Sequence, residues 1–288
     1  MTAAARDRTS AYWSAAAAGW IRHADRHDAW GRPLGATALA ALRPAPGERF
    51  LDVGCACGGT TAELASVAGP AGAAVGVDLV EALITEANRR FPAAPGRNLS
   101  FHTADVERIE RVPQAPFDAA YSRMALMMFA DPVAGCAAVR RSLRPGGRLA
   151  ATVFRGGGAP WLPAAMLGAA ADVGPVEPLP VGDEPGPFAF ADPRRVERIL
   201  AAAGFTAIAV RPDDVVVGAP DDPEAVADWL IDLGPAGVAY RAAPAGARAA
   251  AREGAARLLE RYRTPGTGYR LPTAIWTITA ERPATPGG

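Results

Sequence analysis

The chain of 288 residues contains no lysine, so all 30 of its basic residues are arginine. That absence excludes Schiff-base chemistry, a pyridoxal phosphate anchor and a phosphate-binding loop built on lysine. Neither sign of charge is in excess, because 30 acidic residues balance the arginines. With arginine scattered along the chain, no basic footprint for nucleic acid or an anionic membrane is expected. Histidine and cysteine occur only three times each. Three cysteines are too few for a disulfide framework, which makes a reduced, cytoplasmic setting the expectation. Long apolar runs are also missing. Ala15 to Ala18 is too short for a signal segment, and no later stretch would span a bilayer.

What the chain does have is length enough for one large domain or two small ones, with 50% hydrophobic residues. From about residue 48, apolar runs alternate with amphipathic stretches. Arg49 to Gly54, Ala73 to Asp78, Asn98 to Thr103, Phe117 to Ser122 and Arg148 to Phe154 read as strands. Thr60 to Val67, Glu81 to Phe91 and Asp131 to Leu143 read as the helices between them. Pro92 stops the second and Asp131-Pro132 caps the third. Apolar strands with helical crossovers predict a parallel sheet covered on both faces.

Further along, Asp192-Pro193 opens a helix that Gly204 ends, and Phe205 to Val217 and Ala274 to Glu281 read as two more strands. Two stretches break the alternation. Gly156 to Pro187 is rich in Gly and Pro around a short helix, Trp161 to Ala171, and Asp221 to Arg263 is helical throughout. Upstream, Ala15 to Trp30 reads as a helix, and Pro283 to Gly288 as a disordered end.

The chemistry is concentrated where the first strand runs into a Gly-rich turn, Asp52-Val-Gly-Cys-Ala-Cys-Gly-Gly59, and then a helix. Such a turn builds a ligand site from backbone N–H groups. Asp78 closes the second strand, where an acid accepts hydrogen bonds from the ribose of a nucleoside lying across the strand ends. A nicotinamide dinucleotide site has a related build, but the regular G-x-G-x-x-G spacing is absent.

With the motifs after it, the turn resembles the class I S-adenosylmethionine-dependent methyltransferases of the small-molecule type. The likeness rests on five segments in order: Phe50 to Thr61, Gly76 to Leu79, Thr103 to Val106, Phe117 to Ser122 and Leu143 to Leu149. It implies a doubly wound, seven-stranded, mostly parallel α/β sheet with an antiparallel last strand. An N-terminal helical lid would occupy residues 1–46 and the methyltransferase domain 47–281. Segments 156–187 and 221–265 would be insertions capping the substrate or forming a homodimer contact, and 282–288 a disordered tail.

The same resemblance assigns S-adenosylmethionine as cofactor. Asp52, Gly54, Ala56, Gly58 and Thr61 would shape the pocket for its methionine end, Asp78 would hold the ribose, and Leu79 would pack on adenine. Asp105 would face the adenine amino group with Val106 beside it, Ser122 would lie near the sulfonium, and Tyr12 would touch the cofactor. One departure from the family is Ala56, where glycine is usual; its methyl group is tolerated if the residue avoids positive φ.

On the acceptor side, His23 and His27 are four residues apart on the predicted lid helix and are the candidate bases. His102 reads as a structural strand-end residue. Trp13, Trp20, Arg123, Met127 and Trp161 are the candidate contacts for the acceptor, Arg123 as a partner for a substrate carboxylate. The Asn/Asp-Pro-Pro-Tyr/Phe signature that the family uses on planar amino groups is absent after the fourth strand. So is the acid that metal-dependent catechol enzymes place there, so no metal is expected. The implied reaction is methyl transfer to a small metabolite of specialised metabolism, most simply at oxygen, with carbon or nitrogen as variants. A cyclase that holds the cofactor as a fixed charge, or a noncatalytic binding protein, would fit the same motifs.

Overall fold

Alanine-rich sequence favours helix at the N-terminus, and in the computed structural model, which describes residues 3–284 except 97, 175, 177 and 181, two helices open the chain. They are α1 (Ala3–Arg22) and α2 (Ala24–Leu42). The predicted helix from Ala15 to Trp30 therefore spans the end of α1 and the start of α2, which meet at His23 (φ −110°, ψ 20°). Backbone bonds from His23 N to Gly19 O and from His27 N to His23 O carry the ladder across the break.

The alternating part follows with β1 (Arg49–Val53), α3 (Gly59–Ala68), β2 (Ala73–Asp78), α4 (Glu81–Arg90), β3 (Leu99–Thr103), β4 (Phe117–Arg123), α5 (Pro132–Ser142) and β5 (Leu143–Phe154). Asp131 caps α5 by accepting from Ala134 N at 3.0 Å, as its sequence signature requires. The first five strands are parallel, in the order β3-β2-β1-β4-β5. The order turns back at β1 and β4, and the carboxyl ends of those strands open the crevice where ligands of such sheets bind.

Next come α6 (Trp161–Val173), α7 (Pro193–Ala202), β6 (Thr206–Ala219), α8 (Pro223–Leu233), α9 (Gly237–Ala242), α10 (Ala245–Leu259), β7 (Arg263–Thr264) and β8 (Gly268–Glu281). β8 runs antiparallel between β5 and β6, which completes a row of seven strands, and β7 on β8 makes the eighth of the sheet. Two details differ from the sequence reading. β8 begins six residues before the predicted Ala274, and β7 pairs with its start as a short hairpin. A two-residue strand carries no periodicity to read.

The helical stretch before β8 folds back on α6. A Cβ on Gly168 would lie 2.5 Å from Cα of Ala255, and one on Gly254 2.2 Å from the carbonyl oxygen of Gly168. Only glycine lets α6 and α10 approach this closely. Ala169, Ala227, Ile231, Tyr240 and Ala251 form their own small core between these helices. Among the described residues no helix is long and apolar enough to cross a membrane. Residues 285–288 of the predicted tail lie outside the described residues.

Candidate active site

A cleft of about 1220 Å³, its open mouth included, lies over the carboxyl ends of β1, β2, β3 and β4 and under α1 and α2. The Gly-rich turn forms its floor. Gly54 (φ 72°) and Cys55 both donate their N–H to Val77 O, at 2.9 and 3.0 Å, and Gly58 (φ 86°) donates to Cys55 O at 2.9 Å. Gly54 is required by packing as well as by φ, since a Cβ there would lie 2.3 Å from Ala125 Cβ.

Ala56 is the correction to the expected turn. It sits at φ 46°, in the left-handed region its methyl group disfavours. Its N–H donates to Asp78 Oδ2 at 3.0 Å, which holds it there. Ala56→Gly is expected to raise stability by about 0.5–1 kcal/mol, the relief of strain less the greater freedom of unfolded glycine. Urea unfolding checks this. A loss of stability would mean the turn is not strained.

The cleft is lined by five carboxylates: Asp28, Asp52, Asp78, Asp105 and Glu107. Asp52 is buried and accepts from Thr61 Oγ1 at 2.7 Å. Burial pushes its carboxyl up to about 6, against the hydrogen bond from Thr61 and the charge of Arg123. Asp78 accepts from the N–H of Ala56 and of Val80, both at 3.0 Å, while burial raises its carboxyl as well. Burial also raises Glu107, which accepts backbone N–H groups of Ala130 and Asp131.

α1 and α2 supply the roof: Thr9, Trp13, Trp20, Ala24, His27, Asp28 and Trp30. Trp13 lies edge-on to Trp20 at 5.6 Å, and Trp20 tilts against His27 at 4.4 Å. This roof is latched on two sides. At the end of α4, Arg90 donates to Asp25, Asp28 and Cys57 O at 2.7, 2.6 and 2.8 Å, tying α2 to the Gly-rich turn. On the other side the fully buried Asp232 of α8 takes Arg22 Nη1 at 3.2 Å together with Arg241.

Leu79, Val106, Trp13, Trp20, Arg123 and His27 of the residues singled out from sequence are cleft wall, with Gly54, Ala56, Asp52, Asp78 and Asp105. The others stand behind it or elsewhere. Gly58 and Thr61 support the turn from below, Gly58 because a Cβ would meet the Phe101 ring at 2.7 Å. Ser122 is fully buried and donates to Val53 O at 2.9 Å, so it ties β4 to β1. Met127 and Trp161 are core residues at 1% and 0% exposure, Trp161 donating its indole N–H to Thr273 Oγ1 at 3.2 Å. Tyr12 lies against Trp13 at 5.2 Å, off the cleft wall, where burial pushes its phenol up to about 12.

The two candidate bases part company. His23 turns to α8, its Nε2 3.5 Å from Asp232 and 3.7 Å from Asp228. His27 stays on the cleft wall. His102 hydrogen-bonds Gln114 at 2.9 Å, away from the cleft. Thr9, Asp28, Glu107 and Trp30 are wall residues that the sequence reading did not assign to the site. The spacing of seven that carries Trp13, Trp20, His27 and Leu34 along one face of the lid was the available signal for its orientation.

A family model described as a methyltransferase domain matches residues 50–147, from β1 to the start of β5. The chain is 30% identical over 215 residues to nocamycin O-methyltransferase of Saccharothrix syringae, covering 69% of this chain and 73% of that protein. It is 32% identical over 133 residues to aklanonic acid methyltransferase DauC of a Streptomyces species, covering 46% of this chain and 60% of that one. A further relative, an uncharacterized protein of a Streptomyces fradiae transposon, is 36% identical over 114 residues, 38% of this chain; the chain spans 31% of its length. Among solved structures, phosphoethanolamine N-methyltransferase 2 of Haemonchus contortus, in complex with S-adenosylhomocysteine, superposes with a TM-score of 0.52 at 18% identity. That match covers 86% of this chain and 52% of the other, and it shows a shared fold.

Proposed function

This chain belongs to the class I S-adenosylmethionine-dependent methyltransferases, and on that premise we propose that it methylates a small organic acceptor at oxygen. The observation that carries the reading is the cleft at the strand ends, where five carboxylates meet one arginine. Arg90, Arg108 and Arg6 pair with Asp28, Asp105 and Glu107 from off the wall. That leaves Asp52 and Asp78 without an ion pair among the described residues, and such unpaired acid fits a ligand with positive charge on sulfur and on an amino group. Bound there, S-adenosylmethionine supplies a methyl group made electrophilic by the sulfonium.

The chain's own residues divide the remaining work. Asp78 is placed for the ribose hydroxyls, with Leu79 and Val106 as the apolar walls for adenine and Asp105 for its amino group. Asp52 and Asp28, beside the Gly-rich turn, are the counter-charges for the ammonium end. Met124, Met128, Phe129 and Trp30 offer an apolar surface to the acceptor and exclude water. Alignment of acceptor and methyl group is the main demand of such a displacement.

His27 is not the base of this reaction. Burial, with the charges of His23 and Arg123, pushes its conjugate acid down to about 3, so the ring is neutral and a weak base. His23 is held by α8 and plays its part in the lid.

Asp52 makes cofactor affinity depend on pH. Below about 6 its carboxyl is protonated in the free protein, and a cationic ammonium must ionise it to bind. The affinity for S-adenosylhomocysteine is expected to fall by up to about tenfold per pH unit below 6 and to level off above 7. Calorimetry from pH 5 to 8 reads this, and Asp52→Asn should flatten the profile. Affinity rising on acidification would contradict it. By the same linkage the raised carboxyl costs folding stability as pH climbs from about 4 to about 6, since the folded state holds its proton longer.

The reaction is tested by incubating the protein with S-adenosylmethionine and apolar acids and phenols, followed by mass spectrometry. Methylated product with matching S-adenosylhomocysteine supports transfer. Product altered without either change argues for a reaction that leaves the cofactor intact.

A further inference from the structure

Arg123 is the only arginine on the cleft wall among the described residues. Its nearest carboxylate oxygen is Asp28 Oδ1, at 3.8 Å, and the other oxygen of Asp28 is taken by Arg90 at 2.6 Å. No hydrogen bond to its guanidinium is found among the described residues, which leaves a fork of five donors almost unused. The lid holds it in this state. A Cβ on Gly31 would lie 2.5 Å from its Cζ, and one on Gly35 3.1 Å from its Cδ, so two glycines of α2 let the side chain lie flat against the helix.

Three other side chains of the cleft wall also hold unmatched nitrogens. Trp20 Nε1, Trp30 Nε1 and both ring nitrogens of His27 are buried without a partner among the described residues, and all three side chains are cleft wall. His27 is 6% exposed, and its ring lies 4.4 Å from that of Trp20. An indole only donates, and a neutral imidazole donates through one nitrogen. The N–H groups of Trp20, Trp30 and His27 stay inside the wall, so what this side of the cleft presents, in a wall that includes Met124, Met128 and Phe129, is the guanidinium. Unmatched donors of this kind are complemented by oxygens that carry negative charge.

We propose that the acceptor is a carboxylate on an apolar skeleton, held by Arg123. The proposal rests on the methyl-transfer reading of the cleft and names the substrate class for it. An acceptor ionised at neutral pH needs no base, in keeping with a cleft whose one imidazole is neutral. The carboxylate oxygen forms the new bond to the methyl carbon as the carbon–sulfur bond breaks and its electron pair stays on sulfur. The products are a methyl ester and S-adenosylhomocysteine, no proton is released, and the opposite charges cancel inside an apolar cleft.

The test is calorimetry on the whole protein saturated with S-adenosylhomocysteine, titrated with 2-naphthoate and with 2-naphthamide. The carboxylate is expected to bind at least about tenfold more tightly than the amide, Arg123→Gln to erase the difference, and Arg123→Lys to keep part of it. The wild-type comparison stands even if a variant fails to fold. Equal affinity, or no binding of 2-naphthoate, overturns the proposal. So does an Arg123→Gln variant that loses affinity for S-adenosylhomocysteine but not for 5′-methylthioadenosine, which would give the guanidinium to the cofactor's carboxylate. If S-adenosylhomocysteine itself does not bind, it is the methyl-transfer reading that fails.

Discussion

Asp78→Ala is expected to weaken S-adenosylhomocysteine binding by about 100-fold or more. Two charge-assisted hydrogen bonds to ribose hydroxyls, at about 1.5–3 kcal/mol each, set that scale. The substitution also frees the N–H groups of Ala56 and Val80, which the carboxylate now accepts at 3.0 Å. Part of the loss would thus come from the turn, and Asp78→Asn separates the two effects. The amide keeps one acceptor for the backbone and loses the charge, so it should restore the unfolding midpoint more than the affinity. If both variants bind S-adenosylhomocysteine as the wild type does, Asp78 is not the ribose residue.

Asp232→Ala is expected to destabilise the protein by about 3–5 kcal/mol, because breaking a buried ion pair strands the charges left behind. Asp232 has no exposure and gathers Arg22, His23 and Arg241 from three elements. These contacts help to join the α1–α2 roof to α8, beside the bond from Arg26 Nη1 to Ala225 O at 2.7 Å and the packing of Trp30 on Trp229. Gly19 marks how tightly they are packed, since a Cβ there would lie 2.6 Å from Arg241 Nη1 and 2.7 Å from Asp232 Oδ1. Thermal unfolding should show a fall of about 10 °C for a chain of this size. Asp228→Ala is the comparison. Its carboxylate is partly exposed and shares Arg22, so it should cost far less. A Tm unchanged by Asp232→Ala would mean that the roof and α8 are held by their other contacts.

The parallel half of the sheet was legible because each of its strands is an apolar run that ends in a turn or an acid, and a buried parallel strand has nothing else to show. Asp52, Gly54, Asp78 and Asp105 were legible for the same reason, as their backbone positions at the strand ends decide what they face. Ala56 was not. Its φ is set by a hydrogen bond to a carboxylate 22 residues away, and no local pattern records that.

Met127 and Trp161 illustrate the other limit. Both have the chemistry of a substrate wall, and both are core, because which side of a short helix faces the cleft depends on the neighbours it packs against. His23 and His27 were expected to act from one face of a single helix. The break at His23 gives them different neighbours: two acids of α8 for the first, and the Trp20 ring and the cleft for the second. Arg123 was singled out from sequence as a partner for a substrate carboxylate, but its lack of a close partner within the chain is a fact of the folded chain only.

The central claim is that this cleft holds S-adenosylmethionine, and titration calorimetry of the wild-type protein with S-adenosylmethionine and with S-adenosylhomocysteine at neutral pH tests it most directly. One site per chain with micromolar affinity for both is the expected result. No saturable heat with either compound up to about 1 mM would contradict it.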